Sequence, residues 1–388
     1  MEQGPLSGMK VVEFAGIGPG PMCGMVLADL GAQVLRVDRL VPSGLGIERP
    51  PKFDLLNRGK RTLSVDLKAP EGVAFARRVV ACSDALIEGF RPGTMERLGL
   101  GPETCLADHP KLVYGRVTGF GQTGHLAPAA GHDLNYIALA GALHPIGRAG
   151  AAPTPPLNLV GDFGGGGLLL AFGMLAALWH VKSGGAGQVV DAAMVDGAAM
   201  LMTSLYGLLG SGTHDGPRGT NLLDSGAPHY EVYRCADGKY VSVAPIEPKF
   251  RAVLLERLGL AADAFDFDDV PRWGESKARL ATIFATRTQA QWCELLEGSD
   301  ACFAPVLAPM EAPEHPHHRA RSTFVDVAGV VQPAPAPRFS VTPPGLPRAP
   351  HSADGDVLDH LRQWGVEADT LDGLVQRGVV RAGGARAG

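Results

Sequence analysis

Along the first half of the chain, apolar and polar positions switch repeatedly between a strand-like run and a helical spacing. Met9 to Phe14 reads as a β-strand, and Ala15 to Pro21 is a glycine-rich turn. Met22 to Leu30 has the spacing of a helix, with Pro21 near its first turn and Gly31 past its end. Gln33 to Val37 is a second strand that ends at Asp38-Arg39. The alternation continues with a strand at Thr62 to Leu67, a helix opened by Pro70 and running to Ala81, and strands at Ala85 to Glu88 and Leu112 to Val117. Strand, helix, strand in this order predicts an α/β fold with a large parallel sheet.

Beyond the sheet, Asp133 is placed to cap a helix from Leu134 to Leu143, which sets His132 at the helix's positive end. Four glycines, Gly164 to Gly167, precede the apolar run Leu168 to Trp179, which is too short to span a bilayer and reads as a buried helix. Ser211 to Ala227 turns to Gly, Asn, Asp and Pro, as a linker does. Glu231 to Arg234 and Tyr240 to Ala244 then suit a hairpin. The domain reading is a large α/β domain over 1–195, a linker over 196–227, a small α+β domain over 228–315, and a return segment over 316–388 that rejoins the large domain. Glu311 to His318, across the start of that return, is polar and irregular; within the return, Val331 to Pro350 is proline-rich and extended, Asp356 to Trp364 is helical, and the tail after Val380 is frayed.

Composition narrows the function classes. At 388 residues, 45% apolar and 19% charged, the chain is an ordinary globular protein with room for two domains. A net charge of -5 gives no general attraction to nucleic acid or anionic lipid, so neither is expected as a partner. A phosphate-bearing ligand would need a local group of cations. The six cysteines form no CxxC pair, which argues for reduced thiols and against a disulfide framework or zinc site. With no secretion signal or Ser-Lys-Leu ending expected, the reading is cytoplasmic.

Three segments carry candidate chemistry. Gly131-His132-Asp133-Leu134-Asn135-Tyr136 and Pro156-Leu157-Asn158-Leu159-Val160-Gly161-Asp162-Phe163 each set a titratable side chain beside glycine at the edge of an apolar stretch. Asn57-Arg58-Gly59-Lys60-Arg61 gathers three cations, with Arg36 and Arg39 candidates to join them as a phosphate clamp; a solvated turn is the plainer reading of that run. Taken together, the set suits proton abstraction beside an activated carbonyl, with His132 and Asp162 on opposite faces of one carbon and helix-end N–H groups steadying the enolate oxygen. Other chemistries find less support. Gly16 and Gly18 begin a dinucleotide-type loop, but Pro21 stands where its third glycine belongs. No Gly-x-Ser-x-Gly elbow is present. No metal-ligand spacing is visible, and His315, His317 and His318 sit among prolines in what reads as a solvated loop.

At this point the chain resembles the α-methylacyl-CoA racemases of the family III CoA-transferase superfamily over nearly its whole length. The resemblance is carried by Gly16-Ile17-Gly18-Pro19-Gly20-Pro21, Arg36-Val37-Asp38-Arg39, Asp66-Leu67-Lys68, Glu88-Gly89-Phe90-Arg91-Pro92-Gly93, the His132 and Asp162 segments, and Ile246-Glu247-Pro248. It implies interconversion of 2R and 2S 2-methyl-branched acyl-CoA thioesters without metal or redox cofactor, CoA being part of the substrate. His132 and Asp162 fall on the two bases, Glu247 on the acid that partners the histidine, Asn158 beside the Asp, and the backbone N–H of Asp133 on the donor to the thioester oxygen. Arg39, Arg91 and the Asn57, Arg58, Gly59, Lys60, Arg61 stretch resemble the region that holds CoA, and Arg36 and Tyr136 are placed with them. The fold implied is an interlocked homodimer. A family III CoA-transferase using Asp162 as nucleophile is the competing reading, and a non-catalytic CoA-binding protein is the third.

Overall fold

Among the described residues, seven strands form the main sheet. The protein is seen here as a computed structural model that describes residues 3–41, 43–350 and 357–383. β1 (Lys10–Phe14), β2 (Gln33–Asp38), β3 (Arg61–Val65), β4 (Ala85–Glu88), β5 (Val113–Thr118) and β6 (Gln188–Ala193) are parallel to their neighbours. Their order is β3-β2-β1-β4-β5-β6, and Val380–Ala382 adds an antiparallel edge beside β3. The order turns back between β1 and β4, which is where a doubly wound sheet opens a ligand crevice at its carboxyl ends.

Strand periodicity explains the two cores. Val12, Leu35 and Tyr114 face one side and pack with Phe75, Val79 and the C-terminal residues Leu361 and Leu371. Val11, Val34 and Val113 face the other and pack with Leu27, Leu170 and Met174. Helices Pro70–Ala81, Val357–Gln363 and Ala368–Gln376 therefore cover the first face, and Pro19–Asp29 and Leu169–Lys182 the second. Glu13 shares the parity of Val11, so a carboxylate sits fully buried in an otherwise apolar layer.

The chain divides into two compact units. One comprises Met1–Ala140, Leu157–Leu201 and Ser322–Gly388; the other comprises Gly141–Pro156 and Met202–Arg321. The second holds the sheet β7 (Glu231–Arg234), β8 (Tyr240–Val243) and β9 (Phe303–Val306), antiparallel throughout, over a core that includes Tyr233, Phe284 and Trp292. Residues 196–227 are thus not a linker. They contain the end of helix Met194–Leu201 and all of helix Thr203–Gly210, and from Met202 onward they belong to the second unit.

Other segments are also more ordered than their composition suggests. Pro316–Arg321 is helical, and His315 pairs with Glu297 at 2.9 Å instead of lying in a solvated loop. Val330–Pro333 is a strand paired with Phe324–Val327. The tail past Val380 enters the main sheet through Ala382; Asp356, expected to open a helix, lies outside the described residues.

The four-glycine stretch is not a loop. Leu159–Leu168 is a π-type helical segment that runs straight into helix Leu169–Lys182. Gly165 and Gly197 allow this segment and helix Met194–Leu201 to touch backbone to backbone, since a Cβ on Gly197 would lie 1.9 Å from the Gly165 carbonyl oxygen. The joined run, Leu159–Lys182, has 24 residues and a mean hydropathy of 1.6, enough by length and composition to cross a bilayer. A core helix gives the same signal, and here Leu170, Ala171, Met174 and Leu178 pack against the sheet.

Candidate active site

The glycine-rich turn after β1 meets Asp162 at the sheet's switch point. Gly18 has φ +65 and N-caps helix Pro19–Asp29; a Cβ there would stand 3.1 Å from Asp162 Oδ2. Glycine is needed at Gly18 both for that backbone angle and for that approach. Asp162 lies in the first turn of the π-type segment, a form of helix enriched at functional sites. Its Oδ2 accepts from Asn158 Nδ2 at 3.2 Å, and its backbone N–H donates to Asp133 Oδ1 at 2.6 Å. Leu157, just before Asn158, holds a φ of 58, a strained angle for a branched-chain residue.

His132, and not Asp133, is the N-cap of the next helix, which spans Asp133–Leu139. The His132 backbone N–H donates to Asn135 Oδ1 at 3.1 Å, leaving an acidic residue, Asp133, in the first turn. The imidazole is exposed while Asp133 is buried. Tyr136 is also buried; its hydroxyl donates to the Gly131 carbonyl, and its ring meets Phe120 edge-on at 5.1 Å. Tyr136 therefore fixes the backbone just ahead of His132. Burial pushes the Tyr136 hydroxyl up to about 12, with the Asp162 and Asp133 charges adding to it.

Electrostatically, Asp162 is set apart from an ordinary carboxyl. Burial raises the Asp162 carboxyl above the usual carboxylate range; the Asn158 hydrogen bond opposes this, the Asp133 charge adds to it, and the His132 charge opposes it. The result favours a proton on Asp162. Glu247 lies in the second unit, exposed, as the N-cap of helix Pro248–Arg257.

The cations separate into two groups. Arg58 is buried and forks onto Asp29 at 2.6 and 3.0 Å, with Nη1 reaching Gln332 and the Pro333 carbonyl. Lys60 is fully buried as well, 2.6 Å from Glu13 and 2.9 Å from the Pro21 carbonyl, and it also reaches Asn57. Gly59 is clasped by the Arg348 backbone, and Arg61 opens β3 at the amino ends of the strands. Arg36 pairs with Asp38 at 2.8 Å. The expectation that Asn57, Arg58, Gly59, Lys60 and Arg61 clasp a phosphate fails because their partners are already inside the protein and the stretch does not face the crevice.

The carboxyl ends hold a different set. A cleft of about 580 Å³ lies there, lined by Phe14, Ala15, Arg39, Lys68, Phe90 and their neighbours. Arg39 and Lys68 are exposed, and the Arg39 guanidinium stands 5.9 Å from the centre of the Phe90 ring. Arg91, also exposed, is close enough to Tyr136 to act on its hydroxyl. Lys68 and Phe90 escaped the reading of site residues, although the motifs that contain them are plain in the sequence. A larger cleft, of about 630 Å³, surrounds Gln33, Gly59 and Arg61 at the amino ends. Parallel sheets place ligands at the carboxyl ends, so the smaller cleft is the candidate. Among the described residues no group of three or more His, Cys, Asp or Glu side chains is arranged to hold a metal ion.

With this crevice in view, comparison with known proteins defines the class: the chain belongs to CoA-transferase family III, whose description matches residues 6–354. Among its relatives, the Alpha-methylacyl-CoA racemase of Mus musculus is 46% identical over 370 residues, covering 94% of this chain and 95% of that protein. The Alpha-methylacyl-CoA racemase of Homo sapiens is also 46% identical, covering 97% of this chain and 99% of that protein. A CAIB/BAIF family protein from Brucella suis shares the fold with a TM-score of 0.77 at 27% identity, covering 93% of this chain and 100% of that one.

Proposed function

We propose that this protein is an isomerase that interconverts the 2R and 2S epimers of 2-methyl-branched acyl-CoA thioesters by α-proton transfer. The observation that carries the reading is the hydrogen bond from the Asp162 backbone N–H to Asp133, the neighbour of His132, which draws the two segments together beside the glycine turn at the sheet's switch point; a cleft with cationic walls lies at the same carboxyl ends. The 46% identity to two racemases supports it.

In this scheme Arg39, Lys68 and Arg91 hold the CoA end and leave the α-carbon between the two bases. One base cannot readily reach both faces of a carbon, so inversion calls for two. In one direction His132 takes the proton and Asp162 supplies another from the opposite face; in the other the roles exchange. The raised Asp162 carboxyl suits the proton-carrying member. Each ~1.36 kcal/mol of enolate stabilisation is worth about tenfold in rate, and the Asp133 backbone N–H is assigned to that oxygen. Glu247 is retained as the acid that partners His132, and no metal or redox cofactor is assigned a part. A homodimer is part of the proposal. Phe172 and Trp179 stand 71% and 73% exposed on helix Leu169–Lys182, an apolar face that a second copy would cover. A cytoplasmic setting is also part of the proposal, supported by six cysteines that form no disulfide.

The test is incubation of a pure 2R-2-methylacyl-CoA in D2O, with and without acetate, following the α-proton by NMR. Wash-out of that proton with appearance of the 2S epimer, independent of acetate, is expected. His132→Ala and Asp162→Ala should each lower the rate about a hundred- to ten-thousand-fold. The second reading, transfer of CoA with Asp162 as nucleophile, is favoured by the family's own description. An unchanged α-proton with CoA moving to acetate would establish it instead.

A further inference from the structure

We infer that the Asp133 side chain is a positioning residue for the reaction: its carboxylate, lodged beneath the Gly161–Asp162 peptide, fixes Asp162 in place and keeps it in its proton-carrying form. This rests on the reading of Asp162 as the base for one face of the substrate carbon. Asp133 Oδ1 accepts the Asp162 backbone N–H at 2.6 Å. The two elements approach so closely there that a Cβ on Gly161 would lie 2.7 Å from the same oxygen. The other oxygen, Oδ2, is buried and has no hydrogen-bond partner among the described residues.

That orphaned oxygen is the informative feature. Holding the Asp162 N–H requires one neutral acceptor, and an amide of the same shape supplies one. A buried carboxylate with an unpartnered oxygen is an expensive way to make that bond, so its charge calls for another use. The charge has a target within the same site. A negative group beside a carboxyl disfavours ionisation, and the Asp133 charge acts on Asp162 in that direction, after burial and against the Asn158 hydrogen bond. His132 pulls the other way, and the Tyr136 hydroxyl is disfavoured from ionising by both carboxyls. Asp133 thus offsets the two groups that would strip the proton from Asp162.

Asp133→Asn separates holding from charging, because it keeps an oxygen for the N–H and removes the charge; Asp133→Ala removes both. The carboxyl of Asp162 is followed by carbon-13 NMR, its signal assigned by its loss in Asp162→Asn, alongside the pH profile of racemisation. In Asp133→Asn the Asp162 midpoint should move to lower pH, and the rate limb that reports it should move equally. Every unit of that movement removes about tenfold of the protonated form at neutral pH. KM and thermal midpoint should stay near those of the parent protein. A midpoint that does not move in Asp133→Asn overturns the inference, as does a midpoint that moves while the rate limb stays. Full racemisation by Asp162→Asn overturns the base assignment itself, a separate result from either.

Discussion

Two groups of cations look alike in the sequence and end in opposite places. Arg58 and Lys60 are buried, each held against a carboxylate, at distances of 2.6 Å from Asp29 and Glu13. Arg39 and Lys68 stand exposed on the wall of a cleft at the carboxyl ends of the sheet. The difference follows from position on the strands. Lys60 directly precedes β3, and its ammonium reaches beneath the helix that follows β1, where Glu13 already occupies an inward-facing position. Arg39 and Lys68 come just after β2 and β3, where a doubly wound sheet opens to solvent and ligand. A run of basic residues therefore says little until it is known which end of a strand it sits on.

The comparison breaks most sharply at Lys60. Burial pushes its ammonium down and the Glu13 charge holds it up, so the two depend on each other. Lys60→Met leaves a carboxylate buried alone and frees the Pro21 carbonyl. The expected loss is about 3–5 kcal/mol, read by urea denaturation. Adding Glu13→Leu to Lys60→Met should recover most of it, because an apolar pair is an adequate substitute for a buried ion pair. If Lys60→Met unfolded no more easily than its parent but bound CoA poorly, the assignment of Lys60 to the interior would be wrong.

Burial without a charged partner gives the second test. His229 in the second unit is 1% exposed, neither ring nitrogen has a hydrogen-bond partner among the described residues, and its ring packs against Phe267 at 5.1 Å and Trp273 at 6.1 Å. Burial, with the Arg251 charge adding to it, lowers this histidine from 6.5 to about 4. The unfolded chain then takes up its proton first on acidification, so stability is whole above pH 6.5 and is lost as the pH falls toward 4. The loss across that window is at most about 3 kcal/mol. His229→Phe should flatten this part of the stability curve; an unchanged slope would mean that other groups set it.

Much of the fold was legible because the parallel strands are nearly continuous apolar runs punctuated by glycine and proline. The helix at Pro70–Ala81 and strand β4 fall where the pattern puts them. His132 and Asp162 could be picked out because a titratable group beside glycine in an apolar setting is rare enough to notice. The π-type segment could not be read: four glycines suggest a loop, and only packing against Pro19, Met22 and Gly197 makes them helical. The second unit's longer segment, from Met202 onward, was hidden for a related reason, since Ser211 to Ala227 has a linker's composition. The inner order of that stretch comes from bonds within itself, such as the Asp224 carboxylate accepting from the backbone N–H groups of Gly219 and Asn221 and from the Asn221 amide. Burial of Arg58 and Lys60 depends on Asp29 and Glu13, partners too far along the chain for local pattern to supply.

The smallest effect on stability is expected at the exposed cations, and it completes the contrast. Lys68→Ala and Arg39→Ala remove no buried partner, so unfolding free energy should change by no more than about 0.5 kcal/mol. Their cost should fall on substrate binding. A charged hydrogen bond to phosphate contributes about 1.5–3 kcal/mol, so each substitution should raise KM about tenfold or more with little change in kcat, as uniform binding requires. Salt sharpens the point. Exposed ion contacts are screened within a Debye length of about 8 Å at physiological ionic strength, so KM of the parent protein should rise with added salt and that of Lys68→Ala should rise less. Arg39→Lys tests geometry at constant charge: the lysine keeps the attraction but gives up the planar fork and the stacking beside Phe90, and should recover only part of the affinity. Were Lys68→Ala to keep KM and lose stability instead, the two cation groups would not differ in kind, and the phosphates of CoA would have to be sought elsewhere on the sheet.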